Sequence, residues 1–549
     1  MEATMIMGLW MAPDRAMAIA RTCVMALTGY ATPMGALRLA PFRANAVPEL
    51  VSSLSHHSFS IRPGETSSPR LLVLTRRELA ALWHLPTEAT TVETILWAPS
   101  SSLMAPTQAV ARPHGSFIIL GAAMRPDGRE PVILLEGDRK MPLLTIGRTG
   151  TGKTSLMENL IAQDLAAGRG VALFDVHGDM TLRLLGHVPP QRIAQAVVID
   201  TSGPESVVAL NPLALAQRAD TGMIVGEMLA VFHQYFGELW SLGRMSDTMR
   251  AALWALASRP GLSLGDIGRL FHDPVFRQQL VPAITNPVVK EYWSQEYPRL
   301  SAAQQQERSG VLLNKVRAFL TNDVLRRMLT APTCLDLRQH LDRGGILFVR
   351  PVGLPDAEST LLVGTILALL FTAARSRVDS PAAIRRPCYL YLDEAQTVTS
   401  PSLPTILSQG RKFGLLCGGL ALQYLDALEP ATRQALLGNA GTFISFRCGP
   451  GDARLLQAAF APLDAADLEN LDRYQAVCKM QRSGATLPPF GLELPDPIHP
   501  GSADRAAAVL QASSRRYGLP QEAAQAAQEE HGNADNGQNR RGDGAWEAT

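Results

Sequence analysis

A chain of 549 residues is long enough for two or three domains and a large buried core. Hydrophobic residues make up 46% and charged residues 18%, which excludes a globally disordered chain. A formal net charge of +1 removes any overall basic field, so a nucleic-acid partner would have to be held by local features.

In chain order, residues 1–110 read as a separate N-terminal unit. Pro63, Gly64 and Pro69 break it, a short apolar run lies at 71–73, and one or two helical turns are expected at 78–83. Pro99, Pro106 and Pro113 mark a linker-like approach to the next domain. Residues 16–39 are moderately apolar but carry Arg21 and Arg38, so no membrane span is expected there, and no cleavable signal peptide is evident.

From residue 116 the pattern turns β-rich, with strands predicted at 117–120, 132–135 and 142–146. A glycine-rich loop follows, then a helix over 155–167 stopped by Gly168 and Gly170. Fully apolar strands are predicted at 171–174 and 196–199. Continuous apolar strands separated by a helix are the mark of a parallel sheet buried on both faces. Between 214 and 332 the periodicity is helical, as at 222–236, 247–257 and 311–320, which points to an all-α insertion. Strands resume at 346–349, 389–392, 415–422 and 442–446. The run at 361–374 is the most hydrophobic of the chain, yet too short to span a bilayer comfortably, and reads as a buried core helix. One more helix is expected at 502–514, and the Gly/Asn-rich tail from about 520 reads as disordered.

Six cysteines (Cys23, Cys334, Cys388, Cys417, Cys448 and Cys478) lie far apart with no C-x-x-C pair. That spacing offers no zinc knuckle or disulfide framework and fits a reducing cytosol. Cys388 and Cys417 fall in apolar runs and are expected to act as small buried hydrophobes.

Gly147, Arg148, Thr149, Gly150, Thr151, Gly152, Lys153 and Thr154 satisfy G-x-x-x-x-G-K-[ST] in full, with Ser155 opening the helix behind them. The context is the required one, an apolar strand before and a helix after. Glycines let backbone N–H groups turn inward around phosphates, and the helix N-terminus adds partial positive charge there. Lys153 is expected to reach the β- and γ-phosphates of ATP, and the Thr154 hydroxyl to ligate Mg²⁺. A second apolar strand ends in Asp393 and Glu394. Asp393 suits a grip on Mg²⁺, and Glu394 suits polarising an attacking water. Asp175, ending the strand after the loop helix, either faces the same sheet edge or caps a turn. His177 stands alone, which argues against metal binding.

With these residues in hand the sequence resembles the HerA/FtsK superfamily of hexameric pumping ATPases. Within it, the likeness is to the TraD/TraG-type coupling ATPases of type IV secretion and conjugative DNA transfer. The matching stretches are GRTGTGKTSLMENLI, VALFDVHGDM, LNPL at 210–213, YLYLDEAQTV, LSQGRKFGLLCGGLALQYL and GNAGTFISFRCGPGDA, with LTRRELAALWHLP upstream. They cover roughly residues 70–490 in consistent order. Val176 stands where relatives usually carry proline.

The resemblance implies an α/β fold: a RecA-like P-loop NTPase domain with a mainly parallel sheet, an all-α insertion and a small N-terminal domain. The core would run through 111–214 and 336–498, interrupted by the insertion at 215–335, with 499–549 as a C-terminal helix and tail. It also implies that Arg411 reaches a neighbouring subunit's nucleotide, that Gln423 senses the γ-phosphate, and that Arg447 is a second candidate in trans. Read from the residues alone, the alternatives are a surface salt bridge for Arg411 and a solvated strand end for Gln423.

Three functions then stand as expectations. The first is a homo-hexameric, ATP-driven translocase of double-stranded or single-stranded DNA, cytoplasmic or peripheral at the inner membrane, feeding a secretion channel or served by a relaxase. The second is a secretion ATPase acting on proteins or on assembly of the apparatus. The third is a nucleotide-binding adaptor. Lys315, Arg317, Arg326 and Arg327 are candidates for a DNA-facing pore, against the alternative of a solvated helix face.

Overall fold

The computed structural model describes residues 104–111, 115–125, 128–203, 206–215, 220–237, 245–398 and 400–520, together with 2–3 and 72–73. The chain divides into two compact units, Met1–Trp97 and Ala98–Thr549. In the first, Glu2–Ala3 pairs antiparallel with Leu72–Val73. The helical turns expected at 78–83, the apolar stretch at 16–39, Cys23, the LTRRELAALWHLP segment and the tail beyond 520 lie outside the described residues.

The second unit is organised by a twelve-stranded sheet. It opens with a hairpin, β1 (Phe117–Arg125) and β2 (Gly128–Leu135), followed by β3 (Leu143–Ile146). Helix α1 (Lys153–Ala166) leads to β4 (Gly170–Phe174), and α2 (Asp179–Leu185) leads to β5 (Ala196–Asp200). After a helical stretch that includes α3 (Thr221–Phe236), α4 (Met245–Ala257) and α5 (Ala302–Leu320), the sheet resumes with β6 (Ile346–Arg350). Helix α6 (Asp356–Arg375), β7 (Cys388–Leu392), α7 (Leu403–Gln409), β8 (Leu415–Leu422) and β9 (Thr442–Ser445) come next. The chain then adds β10 (Gln475–Arg482), β11 (Phe490–Glu493) and the helix α8 (Ala503–Tyr517).

Strand order is β2-β1-β11-β10-β9-β3-β8-β7-β4-β6-β5, and the twelfth strand, Ala485–Thr486, pairs antiparallel with the end of β10 off this path. Every neighbouring pair from β9 to β5 is parallel, whereas β10, β11, β1 and β2 extend the sheet antiparallel. Parallel strands need cover on both faces, and the sequences supply it by alternation. Ile146, Phe174, Leu390 and Leu392 join one apolar core with α3, α4 and α6. Leu143, Leu173, Tyr389 and Tyr391 join a second core with α1 and α2.

Helix α6 is the one described helix long and apolar enough to cross a membrane. Its apolar window is 83% buried inside the protein, so it is a core helix, as its run of Leu, Ile and Phe against the sheet requires. Edge strand β5 is closed off by α8, where the Ser513 hydroxyl accepts the Val198 N–H at 2.8 Å.

Candidate nucleotide site

Parallel strands all present their C-terminal ends at one edge, and the predicted phosphate residues collect there. The loop after β3 carries Gly147 to Gly152. Gly147 is held by its N–H on Leu422 O at 3.1 Å, and a Cβ on it would come within 2.5 Å of Phe446 Cβ. Gly150 and Gly152 have φ of +76° and +123°, and a Cβ at Gly152 would also meet Leu494 and Tyr474. Glycine is therefore required at Gly152 twice over, for its backbone and for space. Arg148, Thr149 and Gly150 form an exposed crest, whereas Lys153 opens α1 at only 5% exposure.

The Lys153 ammonium donates to Gly147 O at 2.7 Å and Arg148 O at 3.1 Å. Burial pushes its pKa down, against the opposing charges of Glu394 and Asp393. The lysine and the acidic pair thus share one site. Asp393 is buried, and its carboxyl is pushed up to about 6 by burial, then by the charges of Asp175 and Glu394, with Lys153 pulling the other way. Asp175 belongs to the same cluster and also caps α2: its two carboxylate oxygens accept from Gly178 N at 2.9 Å and Thr181 N at 2.7 Å. Both sequence readings of Asp175 are therefore realised in one side chain. His177 is exposed beside it.

Strand β8 lies between β3 and β7, so its end separates the phosphate loop from the acidic pair. Gln423 follows that end and donates from Nε2 to Glu394 Oε1 at 2.7 Å. Sequence reasoning placed Gln423 here but missed Gln396, which donates from Nε2 to Glu394 Oε2. The signal was present two positions beyond Glu394, in YLYLDEAQTV. Tyr474 was missed as well. Its N–H donates to Thr151 O at 2.9 Å from a backbone at φ +65°, fixing the start of β10 against the loop.

Arg411 is not part of this cluster. It precedes β8, at the opposite edge of the sheet, where it is exposed and its Nη1 lies 3.1 Å from Met141 Sδ. Eight residues of strand, about 26 Å at 3.3 Å per residue, separate it from Gln423. Arg447 is exposed beside the crest, and its carbonyl accepts the Arg148 N–H at 2.9 Å.

Of the basic pore candidates, Arg317 is exposed, while Lys315 and Arg326 are half-buried, Arg326 paired with Asp323. Arg327 departs from the expectation: it is 3% exposed and donates to Leu519 O at 3.1 Å, pulled inward by a carbonyl from a remote part of the sequence. Cys388 and Cys417 are buried as expected, and burial pushes both thiols up to about 12.

No protein-family model matches the chain, and no curated protein matches it. Solved structures do. The bacterial conjugative coupling protein TrwBdeltaN70, in complex with sulphate, aligns at 16% identity and a TM-score of 0.51, covering 74% of this chain and 94% of that one. The plasmid coupling protein TrwB in complex with the ATP analogue ADPNP aligns at 15% identity and a TM-score of 0.51, covering 72% and 93%. Its complex with ADP and Mg²⁺ aligns at 16% identity and a TM-score of 0.50, covering 72% and 98%. At such identities the likeness is one of fold, and the fold is that of the conjugative coupling protein TrwB, a P-loop α/β architecture of the kind the HerA/FtsK resemblance implies.

Proposed function

We propose that this chain is an ATP-hydrolysing translocase of the coupling-protein type, working as a homo-hexamer in the cytoplasm and driving DNA toward a secretion channel. The observation that carries the ATPase reading is the meeting of Lys153, Asp393, Glu394 and Gln423 at one edge of one parallel sheet. The glycine cradle from Gly147 to Gly152 holds the phosphates through backbone N–H groups, and Lys153 trades its two loop carbonyls for phosphate oxygens. Asp393 and Glu394 oppose one ammonium and Asp175 adds its charge beside Asp393, an excess of negative charge that suits a divalent cation. Thr154 and Asp393 are the residues that would hold Mg²⁺, whose chemistry is to draw charge off the transferring phosphoryl group. Glu394 orients the attacking water and takes its proton.

The solved TrwB complexes with ADPNP and with ADP and Mg²⁺ support this choice of substrate and ion. Arg411 is out of reach of its own phosphate loop, so the nucleotide role implied by the resemblance would be played at a neighbouring subunit of a ring.

The test is an ATPase titration with and without duplex DNA at low salt, alongside a mass measurement of the assembly. Turnover should rise with DNA, weaken as salt releases the phosphate contacts, and fall by about a thousandfold or more in Lys153→Ala. Turnover indifferent to DNA would replace the DNA cargo with a protein one. Wild-type turnover in Lys153→Ala would sink the site.

A further inference from the structure

Glu394 is held at both of its carboxylate oxygens. Gln423 Nε2 donates to Oε1 at 2.7 Å, and Gln396 Nε2 donates to Oε2. Gln396 also accepts, taking the backbone N–H of Gln423 on its Oε1 at 3.3 Å. One amide side chain therefore ties the acidic end of β7 to the end of β8.

The backbone under this arrangement is fixed. Glu394 sits at φ +48°, its carbonyl accepts both the N–H and the hydroxyl of Thr397 at 2.7 Å, and Ala395 N–H is bonded to Ala421 O at 2.8 Å. Only the Glu394 side chain is free to respond. A carboxylate held by two amide donors keeps lone pairs free on both oxygens, but its direction is fixed. Rotating it toward a water elsewhere costs a charge-assisted hydrogen bond, about twice as strong as a neutral one.

The two donors differ in what else they can do. Gln423 stands at the end of β8, so a γ-phosphate that draws its amide toward the phosphate loop lengthens the bond to Glu394 and loosens one restraint. Gln396 has its carbonyl end committed to the backbone N–H of Gln423, just past β8.

We propose that Gln396 is a positioning residue that parks Glu394 against the end of β8, so that hydrolysis waits until Gln423 is drawn away. This regulation rests on the ATPase reading above.

The experiment measures ATP turnover of the full chain for wild type, Gln396→Leu and Gln396→Glu. The first replacement removes donor and acceptor. The second keeps the size and sets a like charge against Glu394, so it must also free the carboxylate and guards against a packing defect in the first. Both should raise kcat by about three- to tenfold, the scale of freeing a minor conformer, with KM for ATP within about twofold. Structural damage lowers kcat and does not produce this gain. Adding Glu394→Gln to either variant should abolish the gain, since the effect runs through that carboxylate.

A fall in kcat in both variants at constant KM would mean that Gln396 aims Glu394 rather than parking it, and would overturn the proposal. So would two unchanged rates. A silent wild type beside an active Gln396→Leu would support parking in its strongest form. Silence in all three, with Lys153→Ala no different, would overturn the ATPase reading and parking with it.

Discussion

Helix α1 and strand β7 carry buried charge in two places, and the chain treats the two oppositely. At the end of α1 away from the phosphate loop, Asp164 accepts Arg139 Nη1 and Nη2, each at 2.7 Å, Tyr391 Oη at 2.6 Å and Arg169 Nη1 at 3.1 Å. The Arg139 guanidinium lies over the Tyr389 ring at 3.7 Å, and the two partner side chains are at most 2% exposed. At the other end, Asp393 and Glu394 face one ammonium that already donates to two loop carbonyls, and Asp175 adds its charge beside Asp393. Charge buried to hold the fold is neutralised within the chain, whereas charge buried for chemistry is left for a ligand to neutralise.

Breaking the first kind should cost most. Asp164→Ala strands Arg139 without a carboxylate, and removing one member of a buried pair costs about 3–5 kcal/mol. Arg139→Met should cost less, because Arg169 still faces Asp164 at 3.1 Å. Urea midpoints of the two variants check the order. Equal midpoints for both variants and wild type would mean the network holds nothing.

The acidic edge should respond with the opposite sign. Asp393→Asn is expected to stabilise the protein by roughly 1–3 kcal/mol at pH 7 while abolishing Mg²⁺-dependent turnover. The folded carboxyl titrates at about 6, above its ordinary 3.8, so the folded state holds the proton more tightly than the unfolded one. Wild-type stability should therefore fall as pH rises from about 4 through 6, then level off, and that slope should be shallower in Asp393→Asn. Mg²⁺ binding needs the ionised form, so the Mg²⁺ concentration for half-maximal turnover should rise as pH falls below about 6. Matching thermal-melt slopes in the two proteins would refute the cluster's strain.

The two regions also differ in how legible they were. The acidic edge could be read because its chemistry is compressed into contiguous runs: a glycine loop between an apolar strand and a helix, an apolar strand ending in Asp393 and Glu394, and another ending at Gln423. The Arg139–Asp164 network was invisible, because Arg139, Asp164 and Tyr391 lie 25 and more positions apart and a lone Asp or Arg in a polar segment carries no local sign of burial. The same holds for Arg327, whose partner Leu519 is 192 positions away. Helix α5 was seen only over its apolar second half. Its first half, AAQQQERSG, lacks a buried stripe, although the Ser301 and Gln304 capping box marks its true start. Strands β10 and β11 went unread because they close an antiparallel extension, where pairing to β9 and β1 defines them and β10 mixes polar with apolar residues (QAVCKMQR).

The smallest expected effect sharpens the contrast most. If the Arg139 network is a device of stability alone, its ionic character is dispensable provided that no partner is orphaned. Arg139→Met, Asp164→Leu and Tyr391→Phe together remove the guanidinium, the carboxylate and the hydroxyl that bonds both. Arg169 keeps Glu136 at 3.0 Å and Ser116, and the methionine can lie on the Tyr389 ring where the guanidinium did. Replacing a buried ion pair by apolar groups of similar volume is often neutral, so the triple variant should unfold within about 1 kcal/mol of wild type and keep its turnover. No such repacking can spare the acidic edge, because there the uncompensated charge is what a nucleotide and its cation would bind. A triple variant that folds normally but loses turnover would show that the network sets the spacing of α1 against β7, and the division between structural and chemical charge would fall.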